Sequence, residues 1–263
     1  MRVAFIAAFL ASTTFAALAQ QVTKAPTAAD WAAMARLPDF NGVWELGAPG
    51  GGGRGAAPAA GRGAPAGGGR GRAGGPPTGP SLTSEYAAKR KALQNAAPED
   101  SQTANCLPPG MPGIMGQPYP MEFLLTPGKV TIVIEAYTQV RHIYTDGRAL
   151  PADPDPKFFG TSIGRWEGDT LVVDTVGFSP LTQIDRFTPH GEKMRILERF
   201  RLTDPDVMTI ETTITDPDAL TSPYSTSRTL RRHRDWTIAE YICEENNRNF
   251  VDADGKAGVR LKK

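Results

Sequence analysis

The chain has 263 residues, with 29 Lys and Arg against 28 Asp and Glu, for a net charge of +1. That balance argues against bulk attraction to nucleic acid or to an acidic membrane surface, and the length suffices for one good-sized domain. Motifs for bound cofactors are missing too. No strand leads into a GxGxxG helix, there is no P-loop, and the three histidines show no HxH or HExxH spacing. No cofactor and no catalytic metal are therefore expected.

Met1 and Arg2 form a short basic start, followed by an apolar run from Val3 to Leu10 and small residues up to Ala19. Ala17-Leu18-Ala19 fits a small-x-small cleavage site, so residues 1–19 are predicted to be a secretion signal. The run is shorter than the roughly 20 apolar residues of a membrane span. No later stretch is long enough to span, and no Cys follows the cut to carry a lipid. The expected location is outside the cytoplasm, periplasmic or secreted.

Residues 20–46 form an N-terminal segment with an amphipathic stretch around Trp31, Ala32 and Met34. Asn41-Gly42 then bends the chain into a first strand bearing Val43, Trp44 and Leu46. Residues 47–80 are almost wholly Gly, Ala, Pro and Arg. Such a segment buries too little surface to offset chain entropy, so it is predicted to be a disordered insertion. Its Arg-Gly repeats lack the interleaved aromatics of single-strand RNA binders, and no nucleic-acid partner is expected.

Residues 81–250 make up the predicted main domain, with a tail over 251–263. A helix is expected over Leu82–Gln94, capped by Thr83 or Ser84, with Glu85 early and Lys89, Arg90 and Lys91 late, as the helix dipole prefers. Asn105 to Pro120 is too rich in Pro and Gly for regular structure, and its apolar content predicts a loop packed across the domain, over a barrel end. Strands are expected at Val130–Ala136 and Gln139–Tyr144. Three hairpins follow: Thr161–Trp166 with Thr170–Val176, Met194–Leu202 with Val207–Thr215, and Tyr224–Arg232 with Trp236–Cys243. Short strands at this spacing, with no crossover helices between them, predict an all-β sandwich or barrel. The strand count and hairpin order favour an antiparallel up-and-down barrel. Gly42-Val43-Trp44 resembles the Gly-x-Trp of lipocalin first strands, which implies a calycin-like barrel.

Cys106 and Cys243 are the only cysteines. In an exported chain an even count favours a disulfide, here clipping the N-terminal segment onto the last strand, over two buried thiols or a metal site.

Four stretches resemble a group of exported bacterial proteins without an established activity. They are Cys106–Pro112 (CLPPGMP), Tyr144–Arg148 (YTDGR), Ser162–Thr175 (SIGRWEGDTLVVDT) and Glu240–Asn247 (EYICEENN). The resemblance covers most of Leu82–Asn249 together with Gly42–Trp44, and it implies export but no reaction.

Candidate chemistry rests on polar residues among apolar ones. Alternation in Met194, Ile196, Glu198, Phe200 and Leu202 puts Glu198 on an apolar face. A buried carboxylate there must pair or shift its pKa, which makes it either a general base or half of a structural ion pair with Arg228 or Arg141. His190 lies in a loop beside Asp185 and could transfer protons, or could be an exposed turn residue. Arg141 lies on the strand face opposite Val140, His142 and Tyr144. His233, among Arg231, Arg232 and Arg234, is expected in a solvated turn. A barrel mouth binding a small, partly apolar molecule is the leading functional expectation, with Tyr144, Trp166 and Tyr241 as ligand contacts beside Arg141, His190 and Glu198. Strand parity forbids all six from facing one interior. The alternatives are a cofactor-free lyase, isomerase or hydrolase, with Glu198 or His190 as base and Arg141 stabilising negative charge, and a cell-envelope interaction module.

Overall fold

A computed structural model describes residues 25–47, 79–96, 102, 105–243, 249–251 and 257–259. The expected signal, nearly all of the expected insertion and the polar run 244–248 lie outside the described residues.

The chain forms α1 (Ala28–Met34), β1 (Gly42–Leu46), α2 (Ser84–Gln94), β2 (Met121–Thr126), β3 (Lys129–Ile134), β4 (Gln139–Tyr144), β5 (Thr161–Glu167), β6 (Thr170–Val176), β7 (Gln183–Asp185), β8 (Thr188–Pro189), β9 (Arg195–Asp204), β10 (Val207–Thr215), β11 (Tyr224–His233), β12 (Asn249–Val251) and β13 (Ala257–Val259). A closed barrel runs β1-β11-β10-β9-β6-β5-β4-β3-β2, which is chain order once the small β7–β8 hairpin is set aside. The fold is an all-β up-and-down barrel.

One junction departs from the antiparallel expectation: β4 and β5 pair in parallel, through Ile143 with Ser162 and Tyr144 with Ile163. Strand direction alternates around an antiparallel ring, so a ring with an odd number of strands cannot close without a parallel seam. The long segment between β4 and β5 makes the crossover that such a seam requires.

Alternation decides what fills the barrel. Phe123 and Leu125 of β2, Val130 and Ile132 of β3, Leu171 and Val173 of β6, Phe200 of β9, and Met208 and Ile210 of β10 all point inward and are buried. Trp44 packs among them, donates its Nε1–H to the Phe40 carbonyl at 2.9 Å, and carries the Arg232 guanidinium over its ring at 4.5 Å. Outward positions on β5, β6 and β9 are charged: Glu167 pairs with Arg165 and Arg199, Asp169 with Arg201, and Asp174 with Arg195. Val172 and Asp174, which point outward from β6, are nonetheless buried.

The two ends are closed differently. Where β5 leads into β6, Trp166 packs on Phe40 with ring centroids 5.2 Å apart. The other end, where β5, β9 and β11 begin, lies under irregular chain. Met111, Ile114 and Met115 of the Pro-rich segment are buried there, as a loop over a barrel end should be. Gly110 has φ +65°, and a Cβ on it would sit 2.7 Å from the Phe158 carbonyl oxygen, so the close approach needs glycine. Helix α2 joins the same end. Its preceding residues pair with the turn after β10, through Thr83 N–H to the Ala219 carbonyl and Thr221 N–H to the Ser81 carbonyl. Thr83 is the N-cap residue, but its hydroxyl donates to the Asp218 carbonyl and makes no capping bond.

Within that turn, the buried Asp216 carboxylate accepts the N–H groups of Gly191, Asp218 and Ala219 at 2.6–3.1 Å. It satisfies three backbone donors that burial would otherwise leave costly.

The expected strand Trp236–Cys243 is not a strand. The edge of β11 that it would have used is taken by β1, with Trp44 opposite Arg232 and Leu46 opposite Leu230. A disulfide joins Cys106 to Cys243, Cα atoms 5.7 Å apart, so it clips the Pro-rich loop to this irregular segment and not to a last strand. His233 is not simply solvated: it stacks on Trp236 at 3.6 Å and meets Glu45 at 3.1 Å.

Candidate functional site

The six residues singled out from sequence do not converge. Arg141 and Glu198 do meet, reaching across the barrel interior from β4 and β9. Arg141 Nη1 donates to Glu198 Oε1 at 3.1 Å, and Nη2 makes a short bond to Oε2. Nη2 also reaches Ser162 Oγ at 3.3 Å and Thr175 Oγ1 at 3.1 Å, and these two hydroxyls are 2.9 Å apart. The side chains of both charged residues are 0–1% exposed. This is the structural ion pair rather than an open acid–base group: each charge is neutralised by the other, and neither faces the cavity described below.

His190 stands apart, at the barrel end under the irregular chain. Its Nδ1 lies 2.7 Å from the Gly191 carbonyl, and its Nε2 lies 2.9 Å from the Ser179 carbonyl and 3.0 Å from Thr182 Oγ1. No Asp is among these partners: Asp185 is bonded to Thr188 and Arg90. The ring is fastened to loop backbone.

Tyr144 lies on the outward face of β4, with the Arg148 guanidinium 3.8 Å over its ring. Trp166 is inside the barrel, against Phe40 at the far end. Tyr241 belongs to an aromatic cluster with Tyr119 and Tyr137, at centroid distances of 5.4 and 5.3 Å. The turn beneath it carries positive φ at Tyr137 (59°) and Thr138 (50°), an uncommon conformation for residues with side chains. Thr138 Oγ1 holds the turn by donating to the Tyr241 carbonyl at 2.9 Å.

Burial, followed by the neighbouring Tyr241, pushes the Tyr137 phenol up to about 12. A pKa raised in the folded state means stabilisation that is complete below the ordinary value of about 10 and lost as pH rises through the folded value. Ultraviolet titration is expected to show one phenol ionising late, near pH 12, and Tyr137→Phe should delete that step. Retention of the late step in the variant would assign it elsewhere.

The cavity lies under the expected loop over the barrel end, and Pro109 and Pro112 of the CLPPGMP stretch line it. It measures about 1000 Å³ and opens at the barrel end covered by irregular chain. Its floor is the inward face of the β10–β11 hairpin, namely Ile214, Tyr224, Thr226 and Arg228. One wall is the Pro-rich segment from Pro109 to Gln117, and another is the β7–β8 hairpin with Ile184, Arg186 and Phe187. Leu93 at the end of α2 completes it. The walls are more apolar than polar, and polar side chains enter from several sides: Gln94 of α2, Gln117 of the Pro-rich wall, Gln183 and Asp185 of the β7–β8 hairpin, and Thr226 and Arg228 of the floor. Among the described residues, no cluster of His, Cys, Asp and Glu could hold a metal ion.

By fold this is an all-β up-and-down barrel with a disulfide-clamped cover and a cavity at one mouth. The chain matches no family model, no curated protein and no solved structure.

Proposed function

We propose that this is an exported barrel protein that binds a small, partly apolar molecule in the cavity under the disulfide-clamped cover. The observation that carries the reading is the cavity itself: about 1000 Å³, apolar-walled, at a barrel mouth whose opposite end is plugged by Phe40 and Trp166. An interaction module would need no such space. An enzyme built on Glu198 or His190 would need one of them in the cavity, and neither lines it. Export is supported by the signal-like residues 1–19, by the Cys106–Cys243 disulfide and by the resemblance to exported bacterial proteins. No helix among the described residues is long and apolar enough to cross a membrane.

The test is a thermal-shift screen of the protein against small aromatics, sugars, lipids and divalent metals, with Thr226→Trp alongside. Thr226 is half-buried on the cavity floor, so an indole there narrows the space. A ligand at a hundredfold excess over its Kd is expected to raise Tm by roughly 5 °C or more. The variant should lose that rise while keeping its own Tm. No rise for any apolar-bearing compound, or an equal rise in Thr226→Trp, overturns the reading.

A further inference from the structure

We propose that the cavity is specific for a carboxylate carried on an apolar body, with Arg228 as the group that binds the anion; this rests on the cavity being a ligand site. Charge is distributed unevenly around the cavity. Among the described residues that line it, Asp185 is the only carboxylate, and that charge is already engaged: it accepts Thr188 Oγ1 at 2.6 Å and the Phe187 N–H at 3.2 Å, and pairs with Arg90 at 3.2 Å. Two cations line the same space. Arg186 is exposed, with its guanidinium 5.0 Å from the Phe187 ring centroid, on the rim. Arg228 is half-buried on the inward face of β11, two positions from the fully buried Leu230 and opposite Ile210.

Among the described residues, Arg228 has no hydrogen bond and no ion pair. The contrast with the other inward arginines is informative, since Arg141 is matched by Glu198, and Arg232 by Asp39 and Asp206. A guanidinium taken partly out of water without a counter-charge is costly, and an anion that enters beside it recovers that cost.

Its orientation fits this use. A Cβ at residue 116 would sit 3.2 Å from Arg228 Nε and 3.3 Å from Nη2, so glycine at that position lets the guanidinium lie against the loop wall. Thr226, on the same face of β11, adds a hydroxyl beside it. A planar fork of this kind matches a carboxylate, and the apolar side chains of Ile184, Phe187 and Ile214 are positioned for a hydrocarbon or ring.

The test is calorimetric titration of the full chain with octanoate, octanol and octylamine, which share a tail and differ in head group. Octanoate is expected to bind at least about tenfold more tightly than octanol, and octylamine most weakly. Arg228→Gln should reduce octanoate to the level of octanol and leave octanol unchanged, whereas Arg228→Lys should keep part of the preference. Equal binding of octanoate and octanol to the wild type, or a preference that survives Arg228→Gln, overturns the anion inference while leaving the cavity a ligand site. If none of the three binds, and none shifts the amide resonances of Ile184 and Tyr224, both readings fall together.

Discussion

Glu198→Gln is expected to cost about 3–5 kcal/mol of folding stability, because it leaves the Arg141 charge buried with no counter-ion. The pair is fully enclosed and lies across the barrel interior, so neither partner can turn to water without moving Phe200 or its neighbours. The cost comes from isolation of one charge more than from lost attraction. The same physics predicts that the double replacement Arg141→Met with Glu198→Met recovers most of the loss, since desolvation of two ions is removed together with their bond. Ser162 and Thr175 limit that recovery, because their hydroxyls keep each other but lose the guanidinium. Urea denaturation of Arg141→Met, Glu198→Met and the double variant, beside Glu198→Gln, measures this directly. Single variants within about 1 kcal/mol of wild type would mean that water reaches the pair.

Removing the disulfide is expected to have a comparable effect by a different route. Cys106 and Cys243 are separated by 137 residues, and closing a loop of that length in the unfolded chain gives about 5 kcal/mol in the chain-entropy model, which is an upper bound. The Cys106→Ser, Cys243→Ser variant should therefore unfold at lower urea, by roughly 3–5 kcal/mol. Both cysteines lie outside the barrel strands, so the far-ultraviolet spectrum should change little. The bridge also holds the segment that carries Tyr241 onto Tyr119 and Tyr137. Loss of the bridge should lower the late-ionising phenol toward an ordinary tyrosine value. An unchanged stability together with an unchanged phenol titration would show that packing alone secures the cover.

The barrel strands were legible because period and punctuation agree in them. The bounds of β4, β6 and β10 follow from short runs rich in β-branched and apolar residues, set off by turn residues such as Thr145-Asp146-Gly147 and Asp204-Pro205-Asp206. The inward placement of Glu198 followed from parity alone. The misread strand Trp236–Cys243 has the same alternation, but pattern does not choose partners: β1, nearly two hundred residues away, satisfies that edge. Which face of β4 points inward was also beyond pattern. Val140, His142 and Tyr144 are as apolar as Arg141 and Ile143, and arginine is seldom buried without a partner from elsewhere in the fold.

The cavity was the least legible feature. One of its walls is irregular chain, where no period operates, another is a hairpin of strands too short to show one, and Arg228 stood out only as a possible partner for Glu198. The cue that could have exposed it is the position of Arg228 within β11. Tyr224, Thr226, Arg228 and Leu230 share one face, so the arginine enters the barrel two positions before a core leucine. The role proposed for it rests on the absence of a facing acid among the described residues, and that is a tertiary property.

The position of β1 also sets the order in which the molecule can fold. Its two neighbours are β2 and β11, and the contact between Glu45 and His233 spans 188 residues. The first strand to leave the ribosome is therefore the last to find both partners. Until β11 arrives, β1 and β10 each expose an edge open to strangers, and the closing contact has the high contact order that slows folding. A chain delivered across a membrane end first would spend that interval as an open sheet, with its seam unsealed until β11 has emerged.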